Sequence, residues 1–212
     1  MKKETKKLIF QTALSIMQTV SGAFLVMFMV VHLFGNSLIT LGGEEWFNFY
    51  TSHLDKTHFF IKFAVYMIAV LTLCHGLNGL RIIFRYLKKP IETTKYVFDT
   101  KYRDSTLWYI HSIAGILILI LFPFHLLTAC LIATANVTTA AIVKTHLQNP
   151  YYFYSVIILL AAVIFHMFFG IKTILIRYNW LAKYRQKIPV IFFILGLVML
   201  ILGIITLFIF KG

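Results

Sequence analysis

Four histidines, His32, His75, His125 and His166, stand near the centres of four successive long apolar stretches, one in each. An ionisable side chain at that depth is costly and calls for a partner or a function. A single one reads most simply as a hydrogen-bonded packing residue; four in a row do not. If the stretches are helical, His32 lies 10 residues before Gly42 and His125 lies 11 before Asn136, which puts both about 15 Å below one edge of the apolar layer. His75 precedes Arg81 and His166 precedes Lys172 by six residues each, about 9 Å from the opposite edge. Four imidazoles divided between two depths cannot make one tetrahedral zinc site. They are what two stacked bis-histidine b haems require, each iron taking one imidazole from each of two facing helices. The chain has no C-x-x-C-H, so such haems would lack thioether links.

His111 complicates the count. It lies 14 residues before His125, about 21 Å along the same helix and so level with His75 and His166. No other stretch repeats that spacing. His111 is therefore read as a hydrogen-bond partner for a haem propionate or a backbone group, with ligation in place of His166 as the alternative. A flat macrocycle between helices needs small surfaces, and Gly22, Gly76, Gly79, Gly115 and Gly170 offer them, although small residues also serve ordinary helix packing. His53, His58 and His146 fall in connections and read as solvated.

The elements that must position these residues are membrane helices. The 212 residues are 60% hydrophobic and 13% charged, outside the range of water-soluble domains. Apolar segments run over roughly 12-41, 59-86, 106-134, 151-177 and 188-210, each long enough to cross about 30 Å of hydrocarbon. The fold class that follows is an all-α integral membrane protein of five transmembrane helices, the first four forming a bundle around the haems and residues 1-212 making a single domain. Cys74 and Cys130 each sit alone in an apolar run, which excludes a disulfide framework and a cysteine metal site. MKKETKK precedes a stretch that holds Gln11 and Gln18, with no A-x-A-like site after it, so the N-terminus reads as mature rather than as a signal peptide.

Charge orients the bundle. Sixteen of the 20 Lys and Arg residues fall before the first segment or in the connections near 81-103 and 172-187, against four on the other side. With the acidic residues counted, one face carries net +12 and the other net +1. The positive-inside rule then places the N-terminus in the cytoplasm and Gly212 outside. The basic face suits anionic lipid or a docked cytoplasmic protein. It does not suit nucleic acid, since no soluble domain presents it.

The chain resembles the di-haem cytochrome b membrane subunit of succinate:quinone and quinol:fumarate oxidoreductases, of the single-subunit, five-helix kind. The likeness covers nearly the whole chain and is carried by MQTVSGAFLVMFMVVHLF at 17-34, CHGLNGLR at 74-81, DSTLWYIHSIAG at 104-115, FPFHL at 122-126 and FHMFFGIKTILIRYNW at 165-180. It implies that His32 and His125 ligate the outer, distal haem iron and that His75 and His166 ligate the inner, proximal one. Gln18, Thr19, Trp108 and Arg177 match positions that hold the proximal haem propionates. Amide, hydroxyl, indole and guanidinium donors suit such carboxylates.

The same resemblance implies a bacterial cytoplasmic membrane and electron transfer between a membrane quinone, menaquinone in the leading reading, and a cytoplasmic iron-sulfur subunit. A flavoprotein subunit beyond it would interconvert succinate and fumarate. That chemistry is not in this chain, which has no dinucleotide fingerprint and no cysteine cluster motif. A carboxylate near the outer end of the second helix takes part in quinol chemistry in the family, and its candidates here are Asp55, first, then Glu44 and Glu45. Some menaquinol-oxidising relatives place a Glu two residues before the fourth ligand, on a transmembrane proton path; this chain has Ile164, which cannot relay a proton. The competing readings are a di-haem cytochrome b of the hydrogenase or formate dehydrogenase type, and a haem-free transporter or assembly factor.

Overall fold

The computed structural model describes residues 2–56, 58–87, 103–134, 139–177 and 187–212. They form α1 (Lys2–Lys56), α2 (His58–Leu87), α3 (Arg103–Thr134), α4 (Ala140–Leu147), α5 (Pro150–Arg177) and α6 (Ile188–Lys211). No strand occurs among the described residues. All but α4 are long and apolar enough to cross a membrane, and the chain is an all-α integral membrane protein. Its outward face is the reason: Tyr66 and Phe193 are each 71% exposed, and a shell of such side chains is stable only against lipid. Several hydroxyls inside the spans donate to their own helices. Thr12 donates to the Leu8 carbonyl at 3.0 Å, Ser37 to Leu33 at 2.7 Å and Thr173 to Phe169 at 2.9 Å, the backbone partner that apolar surroundings leave available.

The helices pack in a closed order. α1 lies against α2, α2 against α3, α3 against α5, α5 against α6, and α6 returns to α1. In this ring α1 faces α3 and α2 faces α5 across the middle. The α5–α6 seam is close because α6 presents glycine: a Cβ on Gly203 would stand 2.8 Å from Leu160, and one on Gly196 would stand 3.5 Å from Ile164. Thr40 and Thr206 share a hydrogen bond of 2.7 Å that ties α1 to α6 at the end remote from the N-terminus.

That remote end departs from the sequence reading, which treats the stretch after residue 41 as an open connection. α1 breaks at Gly42 and Gly43, and Gly43 takes φ 72°, ψ −170°, a region that a side chain would strongly disfavour. Helix then resumes and folds back, as the Tyr50 ring lies 2.5 Å from where a Cβ on Gly35 would be. His53 is exposed, as expected, but on this helical arm, with Nδ1 against the Phe49 carbonyl at 2.8 Å. Hydrophobic patterning drives the fold-back, because Phe47 of the arm joins Ile39, Ala140, Leu147, Phe153 and Phe210 in a buried cluster. The short α4 completes this cap. Thr139 is its N-cap residue, Asn48 Oδ1 accepts from the Ala140 N–H at 2.8 Å, and Lys144 pairs with Glu44 at 2.5 Å.

Candidate functional site

The four central histidines meet in two pairs across the middle of the helix ring. His32 of α1 faces His125 of α3, with ring centroids 6.1 Å apart and planes at 84°. His75 of α2 faces His166 of α5, again at 6.1 Å and with planes at 81°. These are the pairs that the depth count selects. Two imidazoles that each reach one metal ion through Nε2 at about 2 Å stand with their centres about 6 Å apart. Edge-to-face packing of rings covers the same range, so the hydrogen bonds at the other nitrogen supply the second constraint.

At the basic end of the bundle those bonds define the tautomer. Nδ1 of His166 lies 3.1 Å from the carbonyl of His111, a group that can only accept, so Nδ1 carries the proton and Nε2 keeps its lone pair. Nδ1 of His75 lies 3.1 Å from Ser21 Oγ. The Ser21 hydroxyl already donates to the Met17 carbonyl at 2.6 Å, so its oxygen accepts from His75 and Nε2 again keeps the lone pair. Both rings present the nitrogen that a metal needs, held by groups behind them.

Glycine makes room for these rings. A Cβ on Gly115 would stand 2.9 Å from Cε1 of His166, and one on Gly22 would stand 3.1 Å from Cε1 of His75. Of the other small positions singled out from sequence, Gly170 faces His111 at 3.7 Å, Gly79 faces Gln18 at 3.7 Å, and Gly76 admits Leu119 at 2.8 Å. The ring of His111 stacks on that of His166, with centroids 3.9 Å apart and planes at 10°. Its Nδ1 is buried without a hydrogen-bond partner, while its backbone carbonyl orients His166.

A chain of donors ends at His75. The Arg81 guanidinium donates to Asn78 Oδ1 at 3.1 Å, Asn78 Nδ2 to Gln18 Oε1 at 2.9 Å, and Gln18 Nε2 approaches His75 Nε2 at 3.1 Å. Asn78 also donates to the Leu14 carbonyl at 3.0 Å, locking α2 to α1. Gln18 is thus beside the site. The Thr19 hydroxyl donates to the Ser15 carbonyl at 3.1 Å, and Trp108 is half-buried on α3, its carbonyl accepting from Ser112 at 2.9 Å. The side chains of Arg177 and Asp55 lie outside the described residues. Glu44 forms the ion pair with Lys144 and Glu45 is exposed, both on the far-end arm.

Sequence reasoning passed over Ser21, Asn78 and, at the other pair, Asn36 and Tyr152. The Asn36 amide donates to the His32 carbonyl at 2.8 Å, and the Tyr152 hydroxyl lies 3.3 Å from Nδ1 of His125. Asn78 had a signal in the sequence: His75, Asn78 and Arg81 recur at three-residue spacing, on one face of a helix. Ser21 and Tyr152 had none, because their partners lie on other helices.

No curated protein matches the chain. The family model for the succinate dehydrogenase/fumarate reductase transmembrane subunit matches residues 4–98 and, a second time, residues 87–210. Each histidine pair joins one ring from the first matched stretch to one from the second. With these matches together spanning almost the whole sequence, the chain belongs to the succinate dehydrogenase/fumarate reductase transmembrane subunit family.

Proposed function

We propose that this chain anchors the cytoplasmic subunits of its complex in a bacterial cytoplasmic membrane and carries electrons between a membrane quinone, menaquinone, and an iron-sulfur subunit through two b haems. The observation that carries this reading is the pair of imidazole couples, both at 6.1 Å with nearly perpendicular planes, on four helices and at two depths. His32 and His125 hold the outer haem, and His75 and His166 the inner one. Bound there, each haem supplies a one-electron carrier. The protein's own work is to aim Nε2 of each ligand, exclude water with apolar helices and balance the carboxylates that a haem brings.

Gln18 is suited to that last task. Its amide donates toward the lone pair that iron would take, and once displaced it is free to donate to a propionate, backed by Asn78 and Arg81. Thr19, Trp108, His111 and Arg177 are the further propionate candidates. The buried, unpartnered Nδ1 of His111 favours its inclusion, since such an atom needs a partner. Proton exchange with quinone at the outer end falls to Asp55, Glu44 or Glu45. Succinate–fumarate chemistry belongs to a flavoprotein subunit docked with the iron-sulfur subunit on the basic face, which the +12 charge equips for binding.

The deciding experiment is a dithionite-reduced minus oxidised spectrum of the purified chain or complex, with haem counted per polypeptide. The expected result is about two b haems per chain. One haem means that one couple is wrongly paired, and none refutes the electron-carrier reading.

A further inference from the structure

The ligands of the outer couple differ in what stands behind them. Tyr152 lies in the first turn of α5, and its ring runs parallel to that of His125, at 7° with centroids 6.5 Å apart. Its hydroxyl is 3.3 Å from Nδ1 of His125. A His125 that gives Nε2 to iron carries its proton on Nδ1, and the phenol oxygen is the acceptor placed for it. The phenol is also fixed in place, because Tyr152 packs against the buried cluster of Phe47, Leu147 and Phe210.

We propose that Tyr152 is a positioning residue for His125 that holds its Nδ1–H and lowers the reduction potential of the outer haem alone. The inference rests on the two-haem reading. A histidine ligand whose second nitrogen donates to a fixed oxygen is a more basic ligand, and a more basic ligand favours ferric over ferrous iron. The inner ligands lean instead on Ser21 and the His111 carbonyl, so removing the phenol leaves their haem unchanged.

The test is a spectroelectrochemical titration of the whole complex with wild-type chain, Tyr152→Phe and Tyr152→His, with haem counted in each. The outer transition is identified as the one that His32→Leu abolishes. Tyr152→Phe keeps the ring and removes the oxygen. At the wild-type midpoint it should shift the reduced-to-oxidised ratio of the outer haem about three- to tenfold toward reduced, tenfold being about 59 mV for one electron. Tyr152→His should stay nearer the wild-type midpoint than Tyr152→Phe does. With two haems present, an unmoved outer midpoint or an equal movement of both haems overturns the inference and leaves the two-haem reading intact. Should Tyr152→Phe lose the outer haem, Tyr152→His, which returns a hydrogen-bond acceptor on a ring, decides: recovery of that haem supports the role, and continued loss removes it. A wild-type complex with fewer than two haems overturns both.

Discussion

At the scale of single residues, the site depends on where side chains are missing as much as on where they are present. The His166 ring occupies space that any residue larger than glycine at position 115 would take, with 2.9 Å left to a Cβ, whereas at Gly79 the nearest atom is 3.7 Å away. Gly115→Ala should displace His166 and bring haem content down toward one per chain, while Gly79→Ala should retain both, as a pyridine haemochrome assay on the two purified variants would show. His111 offers a second discrimination. His166, not His111, is the ring placed across from His75, so His111→Ala should keep both haems, and His166→Ala should lose the inner one. The opposite pattern would make His111 the ligand. Much at this scale was legible in sequence, since the pairing of His32 with His125 and of His75 with His166 follows from counting residues along helices. Ser21 and Tyr152 were not, because nothing within one helix says which side chain of a neighbour will reach a ring nitrogen.

At the scale of elements, the far-end cap is the part that hydropathy reads least well. A window average registers where the apolar run of α1 ends, but not that residues 44–56 resume helix and fold back. That depends on the backbone of Gly43 at φ 72° and on the absence of a side chain at Gly35. Gly43→Ala should cost about 1–3 kcal/mol, the penalty of holding a side chain in a φ/ψ region that essentially only glycine occupies. Asn48→Ala removes the acceptor for the first N–H of α4 and should cost about 1 kcal/mol, the usual worth of a helix cap. Denaturant unfolding of the detergent-solubilised protein, followed by circular dichroism, checks both; equal stability of Gly43→Ala and wild type would mean that the turn is not strained. The cap also explains why Glu44 and Lys144, a hundred residues apart, form an ion pair.

For the whole molecule, two properties follow from charge and its absence. On the proposed function, the face to which the sequence assigns net +12 docks the partner subunits, so their affinity for the membrane-embedded chain should fall as salt rises from 50 to 500 mM, in roughly the way that screened charge attraction does. A binding constant independent of salt would assign the basic residues to topology alone. The second property concerns Ile164, which is 4% exposed and packed at the α5–α6 seam beside Gly196. On the proposed function, an aliphatic side chain at that position leaves protons taken up or released at an outer quinone site without a compensating path beside His166. Complexes reconstituted in sealed vesicles should therefore build or respond to a membrane potential during turnover; turnover indifferent to the potential would show that a compensating path exists elsewhere.

The sequence by itself determined the membrane class, the five spans, the histidine levels and the family, because each rests on one-dimensional quantities: the length of an apolar run, the rise per residue and the order of motifs. Only the tertiary structure decided that each pair spans the middle of the helix ring, that carbonyl and hydroxyl groups from other helices choose the tautomers, and that the far end closes over a buried aromatic cluster. Those features depend on helix rotation and on approach distances of a few tenths of an ångström. A residue's neighbours on its own helix do not set either one; the side chains of facing helices do, together with the glycines that let them approach.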